Sequence, residues 1–507
     1  MLSKVQAAGL TGIDAYLVKV EIDIPSCGLP GWNMVGLLET AVKEAKERVA
    51  AAIRNSGYQI VNRKTIINLA PGHIKKSGVH FDLPIAVGLL AAWQIIRQDL
   101  LKQYLCIGEL SLSGKVLPIN GVLLAATLAK QKGFKGIVVP AENFAEASLV
   151  DGLEVIGVNS LKQTSDFFNN QEKPSQNHQP LPLIADIAKP DFAEVRGQEF
   201  AKRGLEIAAA GGHNILLIGP PGTGKTMLAE RLPSILPPLS STERLETLKI
   251  YSAYGLLNEN FSLGFGRPFR APHHSASYAG LIGGGNRTAH LGEISLAHNG
   301  VLFLDEMPEF KRDVLEVLRQ PLESGLVRIV RLGCSVAYPA SFMLVAAMNP
   351  CQCGYYGDPR KPCICTVPQI RKYRNKISGP LLDRIDLHIN VARPTHEELL
   401  ETMQAESSEK IRERVFQARQ RQASKYAGKI SCNAALKAKQ IQQYCVLNKD
   451  SKNFLKQASE KMFLSARSLH RTLKVAATIA DLEASAEILV SHIAEALQFR
   501  SFERLII

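Results

Sequence analysis

Three short apolar runs in the middle of the chain, Ile215 to Ile218, Val301 to Leu304 and Met343 to Met348, show no alternation and stop at Gly219, Asp305 and Asn349. Uninterrupted runs bounded in this way read as strands buried on both faces, the pattern of a parallel sheet covered by helices. Around them lie an amphipathic stretch at helical spacing, Lys311 to Glu323, and a hairpin-like pair, Gly325 to Arg331 with Ser335 to Tyr338. Upstream, strand-like runs (Ala15 to Ile24, Thr65 to Leu69, Gly136 to Val139, Leu153 to Val158) mix with helical patterns (Leu38 to Ser56, Leu83 to Ile96, Val122 to Lys132). That mixture predicts a separate α/β or α+β domain over residues 1–165. Residues 166–190 are polar, Pro-punctuated and without period, which predicts a linker. Residues 191–395 carry the α/β core. From Pro394 the pattern is helical: Glu397 to Tyr426, Ala434 to Tyr444, Lys452 to Lys461, Ala466 to Leu482 and Ala486 to Gln498, a helical domain over 396–507.

A chain of 507 residues is too long for one core, and about two to four domains are expected. Charged residues at 21% and apolar residues at 46% describe a folded globular protein rather than a disordered one. The net charge of +13 favours a polyanionic partner. The longest nearly uninterrupted apolar run, Leu83 to Ile96, is too short for a bilayer and contains Pro84, Gly88 and Gln94, so no membrane partner is expected. The first residues lack the basic and apolar regions of a signal peptide, which leads to the expectation of a cytoplasmic protein.

The chemistry begins where the first buried run ends. Gly219, Pro220, Pro221, Gly222, Thr223, Gly224, Lys225 and Thr226 stand between a strand and a helical segment. Such a glycine-rich loop lets backbone N–H groups close on a phosphate at the positive end of a helix. Lys225 can then reach the outer phosphates of ATP, and the Thr226 hydroxyl can hold Mg²⁺. The second run ends in two acids. Asp305 would orient Mg²⁺, and Glu306 would polarise the attacking water as general base. Asn349, at the tip of the third run, is a candidate to orient that water or sense the γ-phosphate; a turn-forming Asn before Pro350 is the plainer reading. Cys351, Cys353, Cys363 and Cys365 lie in a loop rich in glycine and proline. Four thiolates suit a structural tetrahedral Zn²⁺, with an iron–sulfur cluster and metal-free thiols as alternatives. Adjacent His273 and His274 would face opposite ways on a strand, which favours structural or nucleic-acid contact over metal.

Several segments extend beyond single motifs: Gly-Pro-Pro-Gly-Thr-Gly-Lys-Thr226, Arg267-Pro-Phe-Arg-Ala-Pro-His-His274, Met348-Asn-Pro-Cys351 with its cysteine loop, Ser378-Gly-Pro-Leu-Leu-Asp-Arg-Ile-Asp-Leu-His388, and Ala466-Arg-Ser-Leu-His-Arg-Thr-Leu-Lys-Val-Ala-Ala-Thr-Ile-Ala-Asp-Leu482. Together they resemble the ComM/YifB family of magnesium-chelatase-like AAA+ proteins, over nearly the whole chain. The resemblance implies a P-loop core with a helical lid and the Asp191 to Gln198 stretch over adenine. It also implies that Arg384 enters a neighbour's site, and that Arg467, with Arg471 as fallback, reaches the γ-phosphate from the lid. An insertion and a hairpin would present Arg267, Arg270, Arg328 and Arg331 to a threaded strand. The implied activity is that of a hexameric ATP-dependent DNA helicase, acting on single-stranded and branched DNA to promote branch migration in natural transformation. The alternative is a protein-remodelling or chelatase-type motor without helicase activity. Ala477 departs from the family pattern, which has arginine there. Separately, Gly108 to Gly121 followed by Gly136-Ile-Val-Val-Pro140 looks like the end of the Lon protease catalytic domain. That alignment puts Asp82 at the family's serine and Leu123 at its lysine, a pair unable to act as nucleophile and base. A structural or oligomerising domain is expected instead.

Overall fold

The computed structural model describes residues 1–170, 190–257, 266–284, 290–331, 334–395 and 405–500. It separates into two compact units, Met1–Ala185 with Arg244–Gly264, and Asp186–Glu243 with Phe265–Ile507.

The first unit is built on a seven-stranded mixed sheet in the order Gly31–Val35, Lys64–Ala70, Asp14–Asp23, Leu2–Thr11, Tyr104–Cys106, Gly136–Pro140, Glu154–Val158. Leu2–Thr11 was not foreseen as a strand, because Ala7-Ala8-Gly9 has little strand propensity. Its full antiparallel register with Asp14–Asp23, from Leu2↔Asp23 to Thr11↔Asp14, supplies what propensity does not. The expected Leu83 to Ile96 helix is Asp82–Ala92, buried along its entire length. It stops where Gln94 turns left-handed (φ 63°) and the N–H groups of Trp93, Gln94 and Ile95 cap the carbonyls of Leu89, Ala91 and Leu90. The expected linker starts too early, since helix Leu161–Asn170 buries Phe167 and Phe168 in this core. Residues 171–189 lie outside the described residues.

Residues 244–257 also belong to this unit, not to the core expected over 191–395. Leu248 packs with Val122, Leu123 and Ile137, and Ser252 ties in through its carbonyl, which accepts from Gly121 N–H at 2.9 Å. The Ser252 hydroxyl donates to buried Glu146 at 2.5 Å.

The second unit holds a five-stranded parallel sheet ordered Phe269–Arg270, Val301–Leu304, Met343–Met348, Ile215–Ile218, Leu387–Asn390. The missing alternation now has its cause: Ile215, Leu217, Val345 and Ala347 face one core cluster, and Leu216, Ile218, Leu344 and Ala346 face another. Both faces are covered. The chain from Lys311 to Glu323 forms two short helices, Arg312–Val317 and Arg319–Ser324, not one. Pro321 has no N–H to give the Val317 carbonyl and its ring crowds that group.

Helices Ser408–Lys425, Ala438–Tyr444, Lys449–Met462, Ala466–Leu482 and Val490–Gln498 follow. Ile411, Val415, Leu473 and Ile493 share the first core cluster with the sheet, so the helices expected as a separate 396–507 domain fall in the same compact unit. The last helix starts at Val490 rather than Ala486, after a left-handed Ala484 and a bridge from Ile488 to Leu447. The beginning of the Glu397 to Tyr426 prediction, residues 397–404, lies outside the described residues.

Candidate active site

The strand order puts Ile215–Ile218 between strands that continue to opposite edges, and ligands of open α/β sheets bind beyond the carboxyl ends at such a place. The loop from Gly219 to Gly224 occupies it. A Cβ on Gly219 would meet the Val391 carbonyl oxygen at 2.3 Å, so the close approach of two backbones requires glycine. Gly224, left-handed at φ 78°, caps helix Lys225–Ile235, and its conformation leaves the first N–H groups of the helix facing the loop.

Lys225 donates from Nζ to the carbonyls of Gly219 (2.7 Å) and Pro220 (2.9 Å) and to Asn349 Oδ1 (3.2 Å). Burial lowers its pKa, against the attraction of Asp305 and Glu306. Thr226 Oγ1 donates to Asp305 Oδ2 at 2.8 Å. A hydroxyl beside a carboxylate is the hard-oxygen donor set that Mg²⁺ takes. The residues fit that ion, which would supply charge neutralisation for a triphosphate. Glu306 N–H donates to Asp305 Oδ1 at 2.8 Å, and Glu306 itself is left-handed at φ 48°. A non-glycine residue in this region carries strain of the kind that collects at functional sites. Gln198 Nε2 donates to the carbonyls of Thr223 (2.6 Å) and Ala392 (3.2 Å), which brings the end of the 191–198 stretch against the loop.

A cleft of about 290 Å³ opens beside these groups, lined by Thr226, Glu230, Phe303, Asp305 and Glu306, and also by His273 and His274. The reading of the sequence missed this placement. It arises because Phe269–Arg270 pairs in parallel with Val301–Leu304 and so carries the following residues to the same end of the sheet as the acids. An apolar residue followed by Arg-Ala-Pro-His-His gives no sign of which strand it joins; strand pairing alone decides it.

The arginines divide. Arg384 is mostly covered and pairs with Glu323, while its Nη1 donates to the Pro380 carbonyl at 2.7 Å. Arg467 does not line the cleft; it lies 3.7 Å from Asp383, next to Arg384 in sequence, and is 70% exposed. Arg471, the fallback, reaches inward to Asp386 at 3.2 Å, which anchors the helix and turns Arg467 toward Asp383. Asp386 also meets His213 Nδ1 at 3.1 Å, and these partners outweigh burial to hold its carboxyl well below the usual range.

Arg267 donates to the carbonyls of Pro237 and Asn299, both at 2.8 Å, and pairs with Glu243. It braces the unit's interior, with its guanidinium covered and engaged rather than open to a threaded strand. Arg270 makes a forked pair with Glu293 at 2.5 and 2.8 Å, which likewise occupies its guanidinium. Arg328 is exposed on strand Leu326–Arg331. The Arg331 side chain lies outside the described residues.

In the cysteine loop, the four Sγ atoms of Cys351, Cys353, Cys363 and Cys365 all lie within 4.8 Å of one another. Cys351 is 3.3 Å from Cys353 and 3.7 Å from Cys363, and Cys353 is 3.6 Å from Cys363. Zn–S bonds of about 2.3 Å put tetrahedral sulfurs about 3.8 Å apart. The cluster fits a four-thiolate metal. Burial opposes ionisation of Cys353, but backbone hydrogen bonds from Tyr355 and Ile364 outweigh it and bring its thiol down to about 6. The loop rests on the phosphate loop: Gly354 is left-handed, and a Cβ there would meet Pro221 Cδ at 2.8 Å.

Comparison with known proteins places the chain in a family. The family described as "Magnesium chelatase, subunit ChlI" matches residues 191–399, "Subunit ChlI of Mg-chelatase" matches 20–143, and "Magnesium chelatase, subunit ChlI C-terminal" matches 405–500. Competence protein ComM of Haemophilus influenzae is 44% identical over 519 residues, covering 100% of this chain and 98% of its own length. YifB of Salmonella typhimurium is 44% identical over 514 residues with the same coverage. The chain belongs to the ComM/YifB family of magnesium-chelatase-like proteins. Membership in this AAA+ family points to an ATPase, and to ATP with Mg²⁺ as its ligands. The chain also has a partial similarity to Lon protease 2 of Bacillus subtilis, 32% identical over 129 residues, which covers 25% of this chain and 23% of the relative. Among the described residues, no helix is long and apolar enough to cross a membrane.

Proposed function

We propose that this protein is an ATP-driven DNA translocase that promotes branch migration while incoming DNA is recombined in natural transformation, working as a ring, in family terms a hexamer, in the cytoplasm. The observation that carries the ATPase half is the convergence of Lys225, Thr226, Asp305, Glu306 and Asn349 at one end of the parallel sheet. The DNA half is supported by the 44% identity to a competence protein over the whole chain and by the charge of +13.

In this reading, Lys225 leaves the carbonyls of Gly219 and Pro220 for the outer phosphates, and Thr226 with Asp305 holds Mg²⁺. Asn349 orients the water and Glu306 takes its proton. Arg384 leaves Glu323 to enter the site of a neighbouring copy, where a planar cation stabilises charge on the transferring phosphoryl group. Arg467, set beside Asp383, is delivered with it from the same protomer. Arg328 and Arg331 remain the candidates for phosphates of a threaded strand.

The deciding experiment titrates ATPase rate with single-stranded, duplex and branched DNA. Stimulation greatest with branched or single-stranded DNA, abolished in Arg384→Ala, is expected. A rate indifferent to every nucleic acid would remove the DNA half and favour a protein-remodelling or chelatase-type motor. The cysteine cluster is proposed as structural Zn²⁺, and metal analysis of the purified protein should return about one zinc per chain. Iron with a visible charge-transfer band, or no metal, would overturn it.

A further inference from the structure

A structural metal explains why four cysteines converge, but not the residues strung between them. Tyr355, Asp358 and Arg360 lie in that stretch and meet the residues that leave the last strand of the sheet, Leu387–Asn390. Arg360 Nη2 donates to the Pro394 carbonyl at 3.2 Å. In the opposite direction, Arg393 Nε lies 3.4 Å from Asp358 Oδ2, on a carboxylate whose side chain is fully covered. The Arg393 guanidinium also sits 5.9 Å from the centre of the Tyr355 ring. Asp358 Oδ1 is occupied by the Arg360 N–H at 2.8 Å, which leaves Oδ2 to Arg393. Each segment therefore holds the other.

Arg393 has one further partner. Its Nη2 donates to the Pro221 carbonyl at 3.2 Å, inside the phosphate loop. A guanidinium is a planar fork, so an ion pair through Nε fixes where Nη2 points. Asp358 thus aims the donor that reaches Pro221. Gly354 packs on the same proline, so the cysteine loop meets the phosphate loop twice, once directly and once through Arg393. A loop already held in shape loses less freedom when its ligand arrives, and binds it more tightly for that reason.

We propose that Arg393 is a positioning residue that fixes the phosphate loop to the cysteine loop, so that an intact cysteine cluster raises the affinity for ATP. The inference rests on the reading of Gly219 to Thr226 as the nucleotide site. Arg393 acts on ATP only through the Pro221 carbonyl. Asp305 and Glu306 keep their own contacts, so the effect falls on binding rather than on turnover.

The test is equilibrium binding of a fluorescent ATP analogue with Mg²⁺ to the full chain, with steady-state hydrolysis measured alongside. Arg393→Ala should weaken binding about five- to tenfold and raise KM to match, with kcat unchanged. Arg393→Lys, which keeps the charge but not the fork, should fall between Arg393→Ala and wild type. Arg393→Ala also strands a covered carboxylate, so Arg393→Ala combined with Asp358→Asn controls for folding. The double variant should regain resistance to denaturant while its affinity stays as low as in Arg393→Ala. A nitrogen chelator that takes Zn²⁺ and leaves Mg²⁺ should weaken binding by wild type and weaken Arg393→Ala no further. Affinity that recovers with stability in the double variant, a wild type indifferent to the chelator, or an equal further loss in Arg393→Ala overturns the proposal. Lys225→Ala separates it from the reading on which it rests: wild-type analogue binding there would remove the phosphate loop as the nucleotide site, whatever Arg393 does.

Discussion

Two carboxylate sites in this protein stand where families that it resembles do chemistry, and they have opposite characters. In the first unit, Asp82 is the residue that the sequence resemblance sets against the Lon serine. It is fully buried, and both its oxygens are taken: Oδ2 by Arg48 Nε at 2.8 Å and by Leu110 N–H at 3.4 Å, Oδ1 by Arg48 Nη2 at 3.0 Å. Burial pushes its pKa up, and the Arg48 pair works against that. The partner position, Leu123, is fully buried too. In the second unit, Asp305 and Glu306 line a cleft, and Glu306 is 56% exposed. The difference teaches that a carboxylate becomes chemical through lone pairs left facing space that a substrate can enter. Asp82 has become a packing element; Glu306 keeps its carboxylate open to the cleft on a left-handed backbone.

The comparison breaks most visibly at the second site. Lys225→Ala should lose nucleotide binding and at least about a hundredfold in ATPase rate, since a desolvated cation to the phosphates is removed. Glu306→Gln should keep binding and lose about 10²- to 10⁴-fold in turnover. Binding and turnover measured in parallel distinguish the two. Wild-type turnover in Lys225→Ala would end the assignment of the loop.

The corresponding change in the first unit should act on stability instead. Arg48→Ala leaves Asp82 buried without its cation and should cost about 3–5 kcal/mol of unfolding free energy, read by denaturant titration. KM for ATP in the folded fraction should not move. Replacing the pair together, Arg48→Met with Asp82→Leu, should recover most of the loss, because no charge is then stranded. A large loss of ATP affinity in Arg48→Ala would show that the two sites are less independent than their chemistry suggests.

How far the sequence foretold this contrast depends on distance along the chain. The phosphate loop, the two acids and Asn349 were legible because each follows an apolar run on its own strand, and parallel pairing brings the ends of such strands together. Leu123 and Asp82 could be seen to lack a nucleophile–base pair, but Arg48 could not be seen as the partner of Asp82, since nothing local joins a helix at 40–55 to one at 82–92. The same limit hid His274, which depends on an edge strand pairing with Val301–Leu304. It also misled over Arg267, whose Arg-Pro-Phe-Arg setting reads as a basic surface. Its acceptors Pro237, Glu243 and Asn299 are supplied by segments distant in sequence. The division at residue 244 was invisible for a related reason: a single helix, Ser241–Ala253, carries residues of both units and its pattern has no break.

A smaller effect sharpens the comparison through two buried histidines, one per unit. Burial lowers the His80 pKa to about 4, slightly opposed by a backbone hydrogen bond at Ala8. His388 goes further, to about 3, because burial is reinforced by the Arg500 and Arg471 guanidinium groups, with Asp386 opposing them. Each side chain is neutral in the fold at pH 5, whereas in the unfolded chain, with an ordinary value near 6.5, it is mostly protonated. The unfolded state then binds more protons, so stability falls as pH falls from about 6.5 toward each folded pKa. The window runs to about 4 for His80 and to about 3 for His388. At pH 5 the loss from either should be about 2 kcal/mol, from roughly 1.4 kcal/mol per pH unit. Asp386 adds nothing between pH 7 and pH 5, since a carboxyl at the ordinary aspartate value is ionised there in the unfolded chain as well as in the fold. Urea titrations at pH 7 and pH 5 should therefore show His388→Gln with a flatter acid dependence than wild type, and His80→Gln with a similar flattening. Below pH 4 the two should diverge, because only the histidine repelled by arginines still resists its proton. Equal slopes for His388→Gln and wild type between pH 7 and pH 5 would mean that the ring finds water or an anion in the folded protein, and that the neighbouring cations do not govern it.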